Sequence, residues 1–407
     1  MFHSRHMSKK KKSKIKSVVF LGDSGFPVGL AGIQRMTLMG RALIEAECKV
    51  RVVCRMAVWP TEVKTHYGKE GVHEGIHYRY TSDSPFRPNT KAKRKYQKIK
   101  GLIREFFYLK KLKKEGEIDA VILSTMNFND SLRYKLYSRL IDFPIALNLV
   151  EMATALERRS SFFLKIGDWL VEKWLLKQFN GAMPISDALH EYYGKIAPSK
   201  PNMKVPVLCD YDNFATIKRN PSEPYFLYCG SDSFIEVAEF VLKAYQAMEN
   251  KSKVKLYLLI SGIQKHIIEL FQEEVNKMFP EGNVQLFSNV PYQELMQLFT
   301  DANALLIPLR PTVEDRARFP HKIGEYLATG NPVITTKVGE IETYFEDGTT
   351  ALVSEKYEIN EFSEKMDYVV DNYDHAREIG LQGKEMGLKT FSFTAYGASI
   401  KQFLMKL

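Results

Sequence analysis

Residues 319–336, FPHKIGEYLATGNPVITT, decide how the rest of this chain reads. Pro320 is pre-set for the first turn of a helix, and Gly330 is the residue that most readily ends one. Residues 321–329 between them supply one helix, and residues 332–336 follow as a short buried strand. Lys322 and Glu325 are three apart and share one face of the helix's first turn. A cation and a carboxylate therefore stand beside the positive end of a helix, where free N–H groups and the helix dipole both favour an anion. The carboxylate one turn deeper can accept two hydrogen bonds from a ribose diol, so the layout suits a nucleoside diphosphate. Spacing alone also fits an ordinary solvated ion pair, worth about 0.2–0.5 kcal/mol.

The alternation of helix and buried strand continues in both directions. Residues 17–22, 50–55, 119–124, 144–150 and 181–185 read as strands, with helices near 34–46 and 130–140. Residues 198–206 break the pattern with Pro198, Pro201 and Pro206 in a polar, basic setting, which marks a linker. Strands resume at 225–230, 255–262, 284–287 and 304–308, with a helix at 293–300. The expected fold is α/β: two successive doubly wound domains facing a cleft, over residues 16–200 and 206–385, with ligands outside the carboxyl ends of the strands. Residues 386–407 give a terminal helix whose apolar stripe is Tyr396, Ile400, Phe403, Leu404 and Leu407. Residues 1–15 form a basic tail expected to be disordered.

Residues 319–334 are similar to the donor-site signature of family 4 glycosyltransferases, FPxKxxEYLAxGxPVI. The likeness runs on through Val338-Gly339-Glu340, Glu346-Asp347-Gly348 and Ala351-Leu352-Val353, about 35 positions in all. The resemblance implies the GT-B fold, in which the second domain holds the nucleotide-sugar donor and the last helix crosses back to the first. It implies a retaining transferase using a UDP- or GDP-sugar, with no metal and no other cofactor. The acceptor is then a hydroxyl of a glycan or lipid-linked molecule, as in cell-surface polysaccharide synthesis.

On this reading Lys322 and Arg310 neutralise the diphosphate beside the helix start at His321, and Glu325 takes the ribose hydroxyls. Phe319, Tyr326 and Gly230 belong to the donor pocket, and Val290, in a loop before a helix, contacts the base through its backbone. Gly32 matches the family's glycine loop at the floor of the cleft, and Arg35 beside it is placed to reach a phosphorylated acceptor. Glu151 ends a strand on the acceptor side, where a carboxylate can orient or deprotonate a hydroxyl. Ser186 and Asp187 read as helix-capping residues rather than catalysts. Two departures stand out. Ala317 occupies the place of a glutamate used on the sugar hydroxyls, and residues 230–236, GSDSFIE, lack the Arg and Lys common after that strand.

The chain has 407 residues and a net charge of +10, unevenly spread. Residues 9–16 hold six lysines and residues 91–114 hold eleven Lys or Arg, which points to anionic partners. In the second segment Tyr96, Ile99, Ile103 and Phe106 form an apolar stripe among lysines. Residues 160–179 add Phe162, Phe163, Ile166, Trp169, Leu170 and Trp174, flanked by Arg158, Arg159 and Lys165. Basic aromatic helices suit an anionic bilayer surface. With a basic rather than apolar start and no long apolar run, the expectation is a cytoplasmic protein at the inner face of the plasma membrane. The four scattered cysteines fit a reduced compartment. Three other classes stay open: a sugar-nucleotide 2-epimerase, a non-catalytic GT-B partner subunit, and, least favoured because no recognisable binding fold carries stacking aromatics, a nucleic-acid binder.

Overall fold

The computed structural model describes residues 14–22, 25–29, 31–60, 67–155, 162–262 and 264–407, without the side chains of Phe163 and Lys265. The basic tail's first thirteen residues, together with Arg158 and Arg159, lie outside them.

Two sheets organise these residues. The first contains β1 (Ser17–Leu21), β2 (Lys49–Cys54), β3 (Glu70–His73), β4 (Ile76–Tyr80), β5 (Ala120–Leu123), β6 (Ile145–Leu149) and β7 (Gly181–Pro184), in the order β3-β4-β2-β1-β5-β6-β7. All its pairings are parallel except the hairpin β3–β4. β1 and β5–β7 are buried along their whole length, as parallel strands covered on both faces must be. Helices α1 (Ala31–Glu45), α2 (Lys91–Lys114), α3 (Phe128–Ile141), α4 (Phe162–Leu170) and α5 (Asp187–Ile196) accompany this sheet.

Sequence reading missed the hairpin, and its turn shows why. Glu74 and Gly75 both take positive φ, 48° and 78°, the two-residue turn that Asn-Gly or Asp-Gly usually signals. Here Glu fills the first place and hides the signal.

The second sheet contains β8 (Tyr225–Ser231), β9 (Lys255–Ser261), β10 (Val284–Phe287), β11 (Ala304–Ile307), β12 (Val333–Thr336) and β13 (Leu352–Ser354). Its order is β10-β9-β8-β11-β12-β13, parallel throughout. Connections run outward in opposite directions from β8 and β11, so the crevice at their carboxyl ends is the topological switch point. The helices of this half are α6 (Tyr211–Ala215), α7 (Ile235–Ala247), α8 (Lys265–Met278), α9 (Tyr292–Asp301), α10 (Val313–Ala317), α11 (Lys322–Thr329), α12 (Glu340–Tyr344), α13 (Ile359–Asp371) and α14 (Tyr373–Phe391). A last helix, α15 (Gly397–Leu404), follows.

The proline-marked linker is not a free loop. Met203 N donates to Ala182 O at 3.1 Å and Val205 N to Pro184 O at 2.8 Å, so the segment runs beside β7 before it crosses. The single helix expected over 386–407 is corrected to two. α14 stays with the second domain, where Ala376 and Ile379 are buried in its core and Gly383 lets the helix approach Leu327 of α11. Ser392 is extended (φ −60°, ψ 127°), which stops the helix and sends the chain back. α15 then packs on α1. Ile400, Phe403 and Leu404 are buried there, and a Cβ on Gly397 would lie 2.0 Å from Ala42 O.

Candidate active site

α11 is held at the switch point from three sides. Tyr326 is fully buried, with its ring edge-on to Phe299 at 5.0 Å. Phe319 stacks on Tyr344 at 5.8 Å and meets Phe391. Both are packing residues that aim the helix, which corrects their placement as donor-contacting groups. Gly324 faces the crossing segment so closely that a Cβ would sit 3.0 Å from Cys209 Cβ.

The N-terminus of α11 presents Lys322 and Glu325 over the end of β8. Burial pushes the Cys229 thiol up to about 11, the Lys322 ammonium opposes that shift and the Glu325 carboxylate adds to it, so all three groups are neighbours. Glu325 is 5% exposed, and burial raises its carboxyl above the usual range. Tyr292 Oη donates to Glu325 Oε1 at 2.8 Å, a partner that sequence reading missed because the helix was started one residue later, at Gln293. Lys322 forms no ion pair among the described residues, which decides against the solvated Lys–Glu pair that its spacing allowed. It is a cation at a helix start whose charge acts on Glu325 without a direct ion pair among the described residues.

His321 stands between Lys322 and the first domain, and its Nδ1 is buried without a hydrogen-bond partner. Burial, with the charges of Arg35 and Lys322, pushes its imidazole down to about 3. It is therefore neutral at ordinary pH, a hydrogen-bonding group and not a cation. The sign is definite: the unfolded chain takes this proton first, near its ordinary 6.5. Stability from neutral His321 is fully present above pH 6.5 and is lost as pH falls toward 3. Chemical denaturation at pH 7 and 4.5 should show wild type losing about 2–3 kcal/mol relative to His321→Gln between the two. A pH-independent difference would show that the ring takes up a proton in the folded protein.

The expectation for Arg310 is corrected. Its Nε donates to Asp315 Oδ2 at 2.9 Å, NH1 to Glu236 at 2.5 Å and NH2 to Asp315 Oδ1 at 3.0 Å. Hydrogen bonding by Asp315 holds the guanidinium above its usual range. Burial alone would raise Asp315, but Arg310 and Arg318 outweigh it and hold the carboxyl low. Arg318 joins the cluster, with its guanidinium 3.9 Å from the Phe234 ring and Nε 2.7 Å from Asp315. Two arginines thus answer Glu236, Glu314 and Asp315, which leaves Lys322, among the described residues around α11, as the cation without an ion pair. The glycine at 230 has a local cause, since a Cβ there would lie 2.4 Å from the Tyr228 hydroxyl. Val290, after Asn289 in the left-handed region (φ 54°), lies half-buried in the loop before α9.

Arg35 is corrected as well. It is buried, donating from Nε to Asn148 Oδ1 at 2.9 Å, from NH1 to Pro206 O at 2.5 Å and from NH2 to Val205 O at 2.7 Å. Burial pushes its guanidinium down to about 9. It fastens the crossing segment to α1 and is not available to an acceptor. Gly32 lies exposed in the first turn of α1, and Glu151 is half-buried just beyond β6. Ser186 caps α5, as expected, by accepting from Leu189 N, and it also donates to Ala317 O at 2.5 Å. Ala317 is thus a domain contact. Glu340 is another, accepting from Asp187 N at 2.6 Å and Lys204 Nζ at 3.2 Å.

Comparison with known proteins agrees with this architecture. Residues 212–386 match the family model described as Glycosyl transferases group 1. A search of curated proteins found no sequence match. Among solved structures, sucrose-phosphate synthase from Thermosynechococcus elongatus superimposes with a TM-score of 0.73 at 15% identity, covering 96% of this chain and 98% of that one. Anabaena HepE, in complex with UDP and glucose, gives 0.70 at 13% identity over 96% and 100% of the two chains. A structure described as trehalose-6-phosphate from E. coli bound with UDP-2-fluoro glucose gives a TM-score of 0.66 at 11% identity over 96% and 99%. Residues 212–386 thus match the glycosyl transferases group 1 model, and the chain as a whole shares the two-domain GT-B fold of these solved structures.

Proposed function

We propose that the chain moves a sugar, with retention, from a nucleoside-diphosphate donor to a hydroxyl of an acceptor held by the first domain, without a metal ion. The observation that carries this reading is the pair on α11: Lys322 at the helix start, with no ion pair among the described residues, and, one turn on, a buried Glu325 bonded by Tyr292. The ammonium and the helix start meet the diphosphate, and the carboxylate takes the ribose. The acceptor hydroxyl attacks from the face that the diphosphate leaves, and a departing phosphate oxygen takes its proton. The protein then acts mainly by stabilising charge on the leaving group. UDP and glucose accompany HepE in its structure, which favours uridine as the base. Thermal shift against UDP, GDP and their sugars, with and without chelator, tests the reading. A shift with one base, unchanged by chelator, is expected; no shift with any nucleotide overturns it.

We further propose that the first domain rests on an anionic bilayer. Among the described residues no helix is long and apolar enough to cross a membrane. α2, α3 and α4 pack side by side and turn apolar residues outward. Tyr96 (67% exposed), Ile99, Ile103 and Phe107 (62%) form one stripe on α2. Leu132, Leu136 and Leu140 continue it on α3, and Phe162, Leu164 and Trp169 on α4. Phe106, counted in the stripe from sequence, instead packs on Tyr137 at 5.1 Å. An apolar face of this extent, ringed by lysines, suits a lipid interface. Co-sedimentation should recover the protein with anionic but not neutral vesicles, and Tyr96→Ser/Phe107→Ser should lower that recovery several-fold. Equal recovery with both vesicle types would sink the idea.

A further inference from the structure

Beneath the first two turns of α2 lies a cavity of about 370 Å³. It opens at the carboxyl edge of the first sheet. Met56, Ala57 and Val58 line it just after β2, Ser82 and Arg87 after β4, and Arg94, Gln97 and Lys98 from α2. That edge is where parallel α/β sheets take their ligands. Among the described residues three cations line the cavity and no carboxylate does. The nearby Asp83 is already bonded to Lys100 and Arg104.

The lining is anchored. Arg94 Nε donates to Pro88 O at 2.6 Å and its NH2 to Asn89 O at 3.1 Å. Gln97 Nε2 donates to Phe86 O at 3.4 Å, and Arg87 N donates to Trp59 O at 2.7 Å. The side chains of Arg87 and Lys98 form no ion pair among the described residues. Like charges gathered in a concave site without a counter-ion repel one another, and a bound anion relieves that repulsion.

α2 buries Leu109 and Leu112 in its second half but exposes apolar residues in its first. Its first turns carry Arg94, Gln97 and Lys98 toward the cavity, while Tyr96, Ile99 and Ile103 face solvent. A surface helix normally does the reverse.

We propose that this cavity binds a phosphate group carried by the acceptor. The inference rests on the reading that the first domain holds the acceptor of a sugar transfer. The apolar outer face of the same helix favours a phosphate at the head of a lipid over one on a soluble sugar. Neither Arg87 nor Lys98 belongs to the donor site, so both can be changed without touching it.

The test compares wild type, Arg87→Gln/Lys98→Gln, and a control with the same loss of charge farther along the helix, Lys110→Gln/Lys114→Gln. Two probes are used: glycerol 3-phosphate in solution, and phosphatidylcholine vesicles doped either with phosphatidic acid or, at equal charge, with a fatty-acid carboxylate. Wild type and control should bind phosphatidic acid vesicles at least tenfold more tightly than the cavity variant, with little difference on the carboxylate vesicles. If only glycerol 3-phosphate separates them, the cavity still holds phosphate and the source is soluble. If the cavity variant matches wild type on both probes, the proposal is overturned. UDP binding, followed on the same samples, confirms that the variants fold. Loss of UDP binding in wild type would count against the transferase reading and leave the phosphate result to stand or fall alone.

Discussion

Lys322→Met should lower kcat by about 10²–10³ while donor affinity changes little, since removing one charge-stabilising donor from an active site costs about that much. The prediction is steep because the described cations around it are already committed. Arg310 and Arg318 are bonded to Asp315, and Arg310 also to Glu236 and Glu314, so neither can replace the lost ammonium without leaving a carboxylate bare. The missing Arg and Lys after β8 leave no substitute in that loop, which instead carries Asp232 and Glu236. Charge grows on the diphosphate as the glycosidic bond breaks, so the ammonium is worth more in the transition state than in the ground state. Steady-state kinetics of transfer, or of slow donor hydrolysis, give the split between kcat and KM. A rise in KM at unchanged kcat would assign Lys322 to binding alone.

Glu325→Ala should have the complementary signature. A carboxylate on a ribose diol makes the same two hydrogen bonds before and during reaction, so its loss should raise donor KM and leave kcat nearly unchanged. Bonds to a charged group are worth about 1.5–3 kcal/mol each, so a 10- to 100-fold rise in the donor's Kd is a conservative expectation. The side chain is buried and its carboxyl is raised, so the site holds a costly charge whose return comes only with the ligand. The variant should therefore fold at least as well as wild type while binding worse. Calorimetry with UDP, set beside a melting curve, separates the two effects, and unchanged affinity would remove Glu325 from the nucleotide site.

α11 was legible because its signals are local: a proline start, a glycine stop, and a cation and carboxylate three apart. Whether Lys322 was paired could not be read, because that depends on what other elements offer. The errors share this cause. Arg310 is closed off partly by Asp315 near by but also by Glu236, 74 positions earlier. Arg35 is closed off by carbonyls of Val205 and Pro206, 170 and 171 positions later. Ala317 looked like a lost catalytic residue, and only the fold shows its carbonyl against Ser186. Phe319 and Tyr326 carry a signature's letters, yet what they touch is aromatic packing. Local pattern thus gives the scaffold and the direction of a site. Long-range pairing decides which charges remain to act.

The chain passes between its domains twice, and the two passages touch. Cys209 N donates to Phe391 O at 2.8 Å, and Phe393 N donates to Cys209 O at 3.2 Å. The two crossings thus lie side by side as one bonded ribbon, so the domains are joined along a single line rather than at two separate points. The contacts of Glu340 with Lys204 and Asp187 add a second tie between the domains beside these crossings. Cutting the chain after Phe391 would leave one covalent crossing, and the domains would then be held by it and by the contacts of Ser186 with Ala317 and of Glu340 with Asp187 and Lys204.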